Sequence, residues 1–193
     1  MFSKDCFIQD CRAALADGPG AIREIVEEAV SNSASVIAEL GEPAHAGITT
    51  LFRAHDLTIL QFTWAPYMVL MPHNHQMFAV IGIYCGREDN IFWHRKETTI
   101  EAASARSLGA GDVVALGRDA IHSVLNPIGK MTSAIHVYGG DFFAPDEPRS
   151  DWEYETLVER PWDVERVKMM FYEAEQRSLK MKPSALSAGL PGK

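Results

Sequence analysis

With 193 residues, 47% of them hydrophobic and 23% charged, the chain has the length and composition of one globular domain with a sizeable core. Its net charge of −8 argues against a nucleic-acid partner, because phosphates call for a basic surface. No run approaches the ~18 consecutive apolar residues of a membrane-spanning helix, so no membrane partner is expected.

Cys6, Cys11 and Cys85 make neither a paired framework nor a CxxC motif. The N-terminus lacks the charged and apolar regions of a signal peptide, and both features point to a reducing cytoplasm.

Residues 5–40 read as helical. Phe7, Ile8, Cys11, Ala14 and Leu15 form one apolar stripe, the Gly18-Pro19-Gly20 turn interrupts it, and Ile22, Ile25, Val26 and Val30 form a second. Ser33–Leu40 is expected as a short third helix. From about residue 48 the period becomes strand-like. Ile48–Arg53 and Leu57–Trp64 are expected strands joined at His55-Asp56, and Met77–Tyr84 is a continuous apolar run of strand length. Residues 89–95, 98–103, 112–116, 122–126 and 131–138 continue the series, which predicts an all-β barrel or sandwich.

Pro145, Pro148 and many charges predict an irregular connection over 141–160. Pro161-Trp162-Asp163 then opens a helix whose apolar face carries Val164, Val167, Met170, Phe171 and Ala174. The expected organisation is a single domain: helical cap 1–46, barrel 47–143, connection and C-terminal helix 144–182, loose tail 183–193.

The candidate chemistry lies in the histidines. His73 and His75, one residue apart on a strand, send both imidazoles to one face. His122, in a later strand-like run, is a candidate third ligand. Imidazole is the commonest ligand of first-row transition metals, and three of them leave positions open for substrate or dioxygen. His55 and His94 lack a spaced partner and read as surface residues. Gly86–Asn90 reads as a charged hairpin, Cys85 as a packed thiol, and Trp64, Phe78, Phe92 and Trp93 as barrel filling.

His73-Asn74-His75 with Gly86, and Gly111 with His122 and Asn126, resemble the two motifs of the cupin superfamily. The leading glycine of the first motif is Tyr67 here. Its glutamate is absent, with Ala79 and Val80 at the expected spacing, and Gly117 and Asp119 replace a proline and a glycine of the second motif. A three-histidine site without that carboxylate resembles cysteine dioxygenase and its thiol dioxygenase relatives. Ala134-Ile135-His136-Val137-Tyr138 is similar to the strand that carries their Ser-His-Tyr triad, with Ala134 in place of the serine. Pro72–His75, Ala79–Tyr84, Gly86–Asn90 and His136–Phe143 also resemble a bacterial branch described as predicted metal-dependent double-stranded β-helix enzymes.

The resemblance implies a cupin β-barrel flanked by helices and Fe(II) held by His73, His75 and His122, with Mn, Ni or Zn as alternatives. It implies His136 and Tyr138 beside the metal as catalytic groups, and Arg53 as the cation for a substrate carboxylate. The implied reaction is oxidation of a small thiol by dioxygen to a sulfinate. Two alternatives are a metal-dependent cupin of other chemistry, such as an isomerase or carbon–carbon dioxygenase, and a non-catalytic small-ligand or metal-binding barrel. A homodimer is allowed by the sequence and not fixed by it.

Overall fold

The structure, a computed structural model, describes residues 1–181, and the expected tail over 183–193 lies outside them. Helices α1 (Lys4–Ala14), α2 (Pro19–Ser31) and α3 (Ser33–Leu40) come first. A 3-10 turn over Leu15–Asp17 closes α1 and leads to Gly18, whose φ of 86° is a left-handed conformation that glycine adopts at least cost.

The strands follow: β1 (Gly47–Arg53), β2 (Thr58–Trp64), β3 (Val69–Asn74), β4 (Ala79–Cys85), β5 (Arg87–Arg95), β6 (Ile100–Gly109), β7 (Val113–Leu116), β8 (Ile121–Leu125), β9 (Thr132–Tyr138), β10 (Ser150–Trp152) and β11 (Glu159–Pro161). Helix α4 (Val164–Met181) closes the described chain. The strands form two antiparallel sheets, β1-β2-β9-β4-β7 and β11-β10-β3-β8-β5-β6. This is the mainly-β, double-stranded β-helix barrel that the histidine motifs implied.

Why some strands are apolar throughout follows from what covers them. In the first sheet β2, β4 and β9 are buried on both faces, so alternation is lost. Val80 and Tyr84 of β4 and Ile135 and Val137 of β9 pack against Phe7, Ile22, Val26 and Val30 of the helices. Their neighbours Ile81, Ile83 and Ala134 face the barrel interior with Leu60, Phe62 and Trp64. Helix α2 approaches β4 so closely that a Cβ on Gly82 would lie 2.5 Å from Val26 Cγ1. Among the described residues no helix is long and apolar enough to cross a membrane.

Two expectations change at the C-terminal end. The 141–160 connection contains β10 and β11, which extend the second sheet beside β3. Three-residue strands show no periodicity; these are fixed by the fully buried Asp151, which takes Arg160 at 2.7 Å and Arg166 of α4 at 2.5 Å. Nor does α4 lie wholly outside the barrel. Val167, Phe171 and Ala174 join the interior cluster, and Phe171 stacks on Trp64 with centroids 5.2 Å apart.

Candidate metal centre

His73 and His122 face each other across the β3–β8 pair, and a bulge precedes them. Leu70 pairs with Val124 and His73 with His122, so Met71 and Pro72 together oppose Ser123. The extra residue changes the parity of the strand, and Leu70 and His73, three apart, both line the interior. Pro72 suits a bulge because it has no N–H to leave unpaired. His75 lies just past the end of β3, and Gln76, with φ 56°, turns the chain away. Tyr67, at the expected glycine position, likewise has φ 58°, so the turn keeps a left-handed geometry without glycine.

The three imidazoles converge, His122 joining the His73–His75 pair from β8. His73, His75 and His122 each offer a nitrogen within 4.8 Å of the others, and all three are buried. His73 Nδ1 donates to the Met71 carbonyl at 2.9 Å and His122 Nδ1 donates to Asn90 Oδ1 at 2.7 Å. Each bond fixes a tautomer whose lone pair lies on Nε2. His75 Nε2 stands 3.0 Å from His122 Nε2, close to the ~3.0 Å expected between two nitrogens at right angles about a metal ~2.1 Å from each. Burial pushes His73 down to about 4, and holds His75 and His122 well below the usual histidine range. Neutral imidazoles with aimed lone pairs are the ligand form, so the donor set fits a divalent metal.

His136 and Tyr138 of β9 form the facing wall. His136 Nδ1 and the Tyr138 hydroxyl are 3.0 Å apart, and His136 stacks on Phe62 at 4.2 Å between centroids. His136 stands outside the three-nitrogen group. Burial pushes it down to about 3 and raises the Tyr138 phenol above its ordinary value. The cavity between these walls is about 20 Å³, room for on the order of one water molecule.

Arg53 is not placed in this cavity. Its guanidinium makes a bidentate pair with Asp141, with contacts of 2.8–3.1 Å, and stacks over Phe143 on the outside. A buried cation, Arg149 on the connection before β10, stands next to the cavity, against the lining residues Phe142 and Trp162. It is 8% exposed and lies between Phe142 and Trp162, with its Cζ 4.4 and 4.7 Å from their centroids. Among the described residues, Arg149 Nε and Nη1 and Trp162 Nε1 have no hydrogen-bond partner, nor do His75 Nδ1 and His136 Nε2. Burial pulls Arg149 down to about 10, which leaves it charged at neutral pH.

The 86–90 hairpin also departs from its reading as a solvated turn. Arg87 and Asp89 pair on the outside, whereas Glu88 and Asn90 are fully buried. Their spacing of two on a strand was the available signal, together with His122 across the ladder, where Phe92 pairs with it. Asn126 acts as a clamp, its Nδ2 donating to the carbonyls of Trp64, Ala65 and Lys130. His55 and His94 are exposed, as expected.

No protein-family model and no curated protein matches the sequence. Among solved structures, a recombinant oxalate oxidase in complex with glycolate aligns at a TM-score of 0.40 and 14% identity, over 51% of this chain and 53% of that one. A cupin superfamily protein from Desulfitobacterium hafniense aligns at 0.43 and 14% identity, over 53% and 85% of the two chains. An RmlC-like cupin with a double-stranded β-helix fold from Methanocaldococcus jannaschii aligns at 0.43 and 10% identity, over 50% and 82%. The match to the oxalate oxidase thus spans about half of that protein's length.

Proposed function

We propose that the protein is a non-haem iron dioxygenase that oxidises a small thiol bearing a carboxylate to its sulfinate. The observation that carries this reading is a neutral three-histidine donor set with a buried guanidinium behind two residues of the cavity lining, Phe142 and Trp162, its Nε and Nη1 without a hydrogen-bond partner among the described residues. A buried cation left without a partner is costly, so Arg149 calls for an anion from outside the chain. Two donors of Arg149, with Trp162 Nε1 beside them, suit a carboxylate.

His73, His75 and His122 would hold the iron, and bound Fe(II) would supply the redox chemistry that lets dioxygen react with a thiolate. Arg149 fixes the carboxylate and so orients the sulfur toward the histidines. With its hydrogen on Nδ1, His136 donates to the Tyr138 oxygen and leaves the phenol hydrogen free to steady the oxygen being transferred. Phe62, Val124 and Phe142 exclude water. Both oxygen atoms pass to the sulfur, so R–S⁻ and O₂ give R–SO₂⁻. With room for on the order of one water molecule in the cavity, the proposed substrate enters only if part of the lining gives way.

The test is oxygen uptake by iron-loaded protein with cysteine, mercaptopropionate and cysteamine, each followed by product mass. Uptake with the two carboxylates and weak uptake with cysteamine is the expected result. No uptake above free iron with any of them would transfer the case to an isomerase, a carbon–carbon dioxygenase or a non-catalytic metal-binding barrel.

A further inference from the structure

Behind His122 runs a buried chain of hydrogen bonds whose direction is set at its far end. Trp64 Nε1 donates to Glu88 Oε2 at 2.8 Å, and Asn90 Nδ2 donates to Glu88 Oε1 at 2.9 Å. Asn90 Oδ1 then accepts from His122 Nδ1 at 2.7 Å. Glu88 and Asn90 are 0% exposed, Trp64 and His122 1%. The strands impose this meeting: Glu88 and Asn90 share the inner face of β5, which lies beside β8.

Each link leaves the next no choice. Indole nitrogen is donor-only and an ionised carboxylate is acceptor-only. Glu88 therefore receives the amide nitrogen of Asn90, which turns the amide oxygen toward His122. The imidazole must then carry its hydrogen on Nδ1, leaving the Nε2 lone pair on the side of His73 and His75. We infer that Glu88 and Asn90 are positioning residues that set the tautomer of His122, with Glu88 as the polarity anchor of the chain. The step from tautomer to metal affinity rests on the reading of His122 as a ligand.

The consequence is specific to direction, not to size. In Glu88→Gln the indole still requires an acceptor, so the new amide turns its oxygen to Trp64 and its nitrogen to Asn90. Asn90 must flip, presenting nitrogen to His122 Nδ1, and the imidazole hydrogen moves to Nε2, where it blocks a metal. Adding Asn90→Asp restores the polarity one link along. The introduced amide nitrogen at position 88 then donates to the new carboxylate, and that carboxylate accepts from His122 Nδ1.

The experiment is nitrogen-15 NMR of the histidine side chains in metal-free protein at pH 8, with Zn(II) affinity by chelator competition on the same samples. At that pH Glu88, whose carboxyl burial pushes up to about 7, is ionised. Wild type should carry the His122 hydrogen on Nδ1, Glu88→Gln on Nε2, and the double variant on Nδ1 again. Zn(II) affinity should fall roughly 10–100-fold in the single variant and return to within about threefold of wild type in the double one. An unchanged tautomer in Glu88→Gln would overturn the inference. If that variant does not fold, the double variant decides, and a hydrogen absent from Nδ1 there overturns it equally. Tautomers that switch as described in a wild type that binds no Zn(II) would instead remove the metal reading and leave the chain intact.

Discussion

His73 takes its tautomer from Met71, two residues earlier in the bulge, whose carbonyl accepts the imidazole Nδ1–H at 2.9 Å. His122 takes its tautomer from the side chain of Asn90 on another strand. One candidate ligand is thus oriented by backbone that side-chain substitution leaves in place, the other by a side-chain relay whose direction we assign to Glu88. The two histidines nevertheless lie 4.6 Å apart, centroid to centroid, and serve one site.

Replacing either histidine with alanine should remove the metal centre. We expect His73→Ala and His122→Ala to lose stoichiometric divalent metal, with affinity down by more than ~100-fold, beyond the range for an indirect partner. Metal analysis after equilibrium dialysis checks this. Both variants retaining one equivalent would sink the ligand assignment.

His136 should behave otherwise, because it stands outside the three-nitrogen group. His136→Ala is expected to keep one equivalent of metal, with affinity within about tenfold of wild type. Tyr138→Phe should lower kcat more than it raises KM, since the proposed reaction uses the phenol for oxygen transfer and not for anchoring the substrate. A metal–nitrogen distance in the bonding range at His136, in a crystal of loaded protein, would make the site four-histidine instead.

The two arginines predict opposite outcomes. Arg149→Met should raise KM for a thiol carboxylate by ~100-fold or more, as expected when one member of a buried charge pair is lost. It should leave turnover of cysteamine, which lacks the carboxylate, nearly unchanged. The same substitution should raise the melting temperature of the ligand-free protein, because it removes an unpartnered buried cation. Arg53→Gln, which breaks only the outer pair with Asp141, should alter neither KM. Equal effects of the two variants on the carboxylate substrate would contradict the assignment of Arg149.

Acid should unfold the metal-free protein within a defined window. Folded His73 and His136 are held to about 4 and about 3, and His75 and His122 are also depressed, all mainly by burial. In the unfolded chain each takes a proton near 6.5. Their contribution is therefore complete above pH 6.5 and is lost as pH falls toward 4, by up to tenfold in the folding equilibrium per pH unit per histidine. Glu88, raised to about 7 from 4.5, acts in the opposite sense between those values and offsets one such slope. Urea melts of metal-free protein at pH 8, 6.5 and 5 measure the net loss. Stability that stays flat across that range would rule out four buried neutral histidines.

Much of the barrel was legible because local pattern and burial coincide there. The apolar run from Met77 to Tyr84 became β4 since one face meets the helices and the other the interior. Strand period put His73 and His75 on one face, which proved to be the interior, although His75 lies one residue past the end of β3. The 86–90 segment was obscure for the complementary reason. Alternating charged and polar residues have the pattern of a solvated hairpin, and nothing local says that the Glu88–Asn90 face is the buried one.

The sequence by itself determined the strand series, the flanking helices and the residue types able to bind a metal, because these follow from periodicity and side-chain chemistry within a few residues. Tertiary structure alone decided which cation is buried beside the cavity lining and which polar groups orient the candidate ligands. Arg149 packs behind Phe142 and Trp162 of the cavity lining because β10 docks beside β3, while Arg53 is taken up on the outside by Asp141. Asn90 meets His122 because β5 and β8 are neighbours in a sheet. Burial and pairing of this kind are set by contacts between residues far apart in the chain, and no local pattern records them.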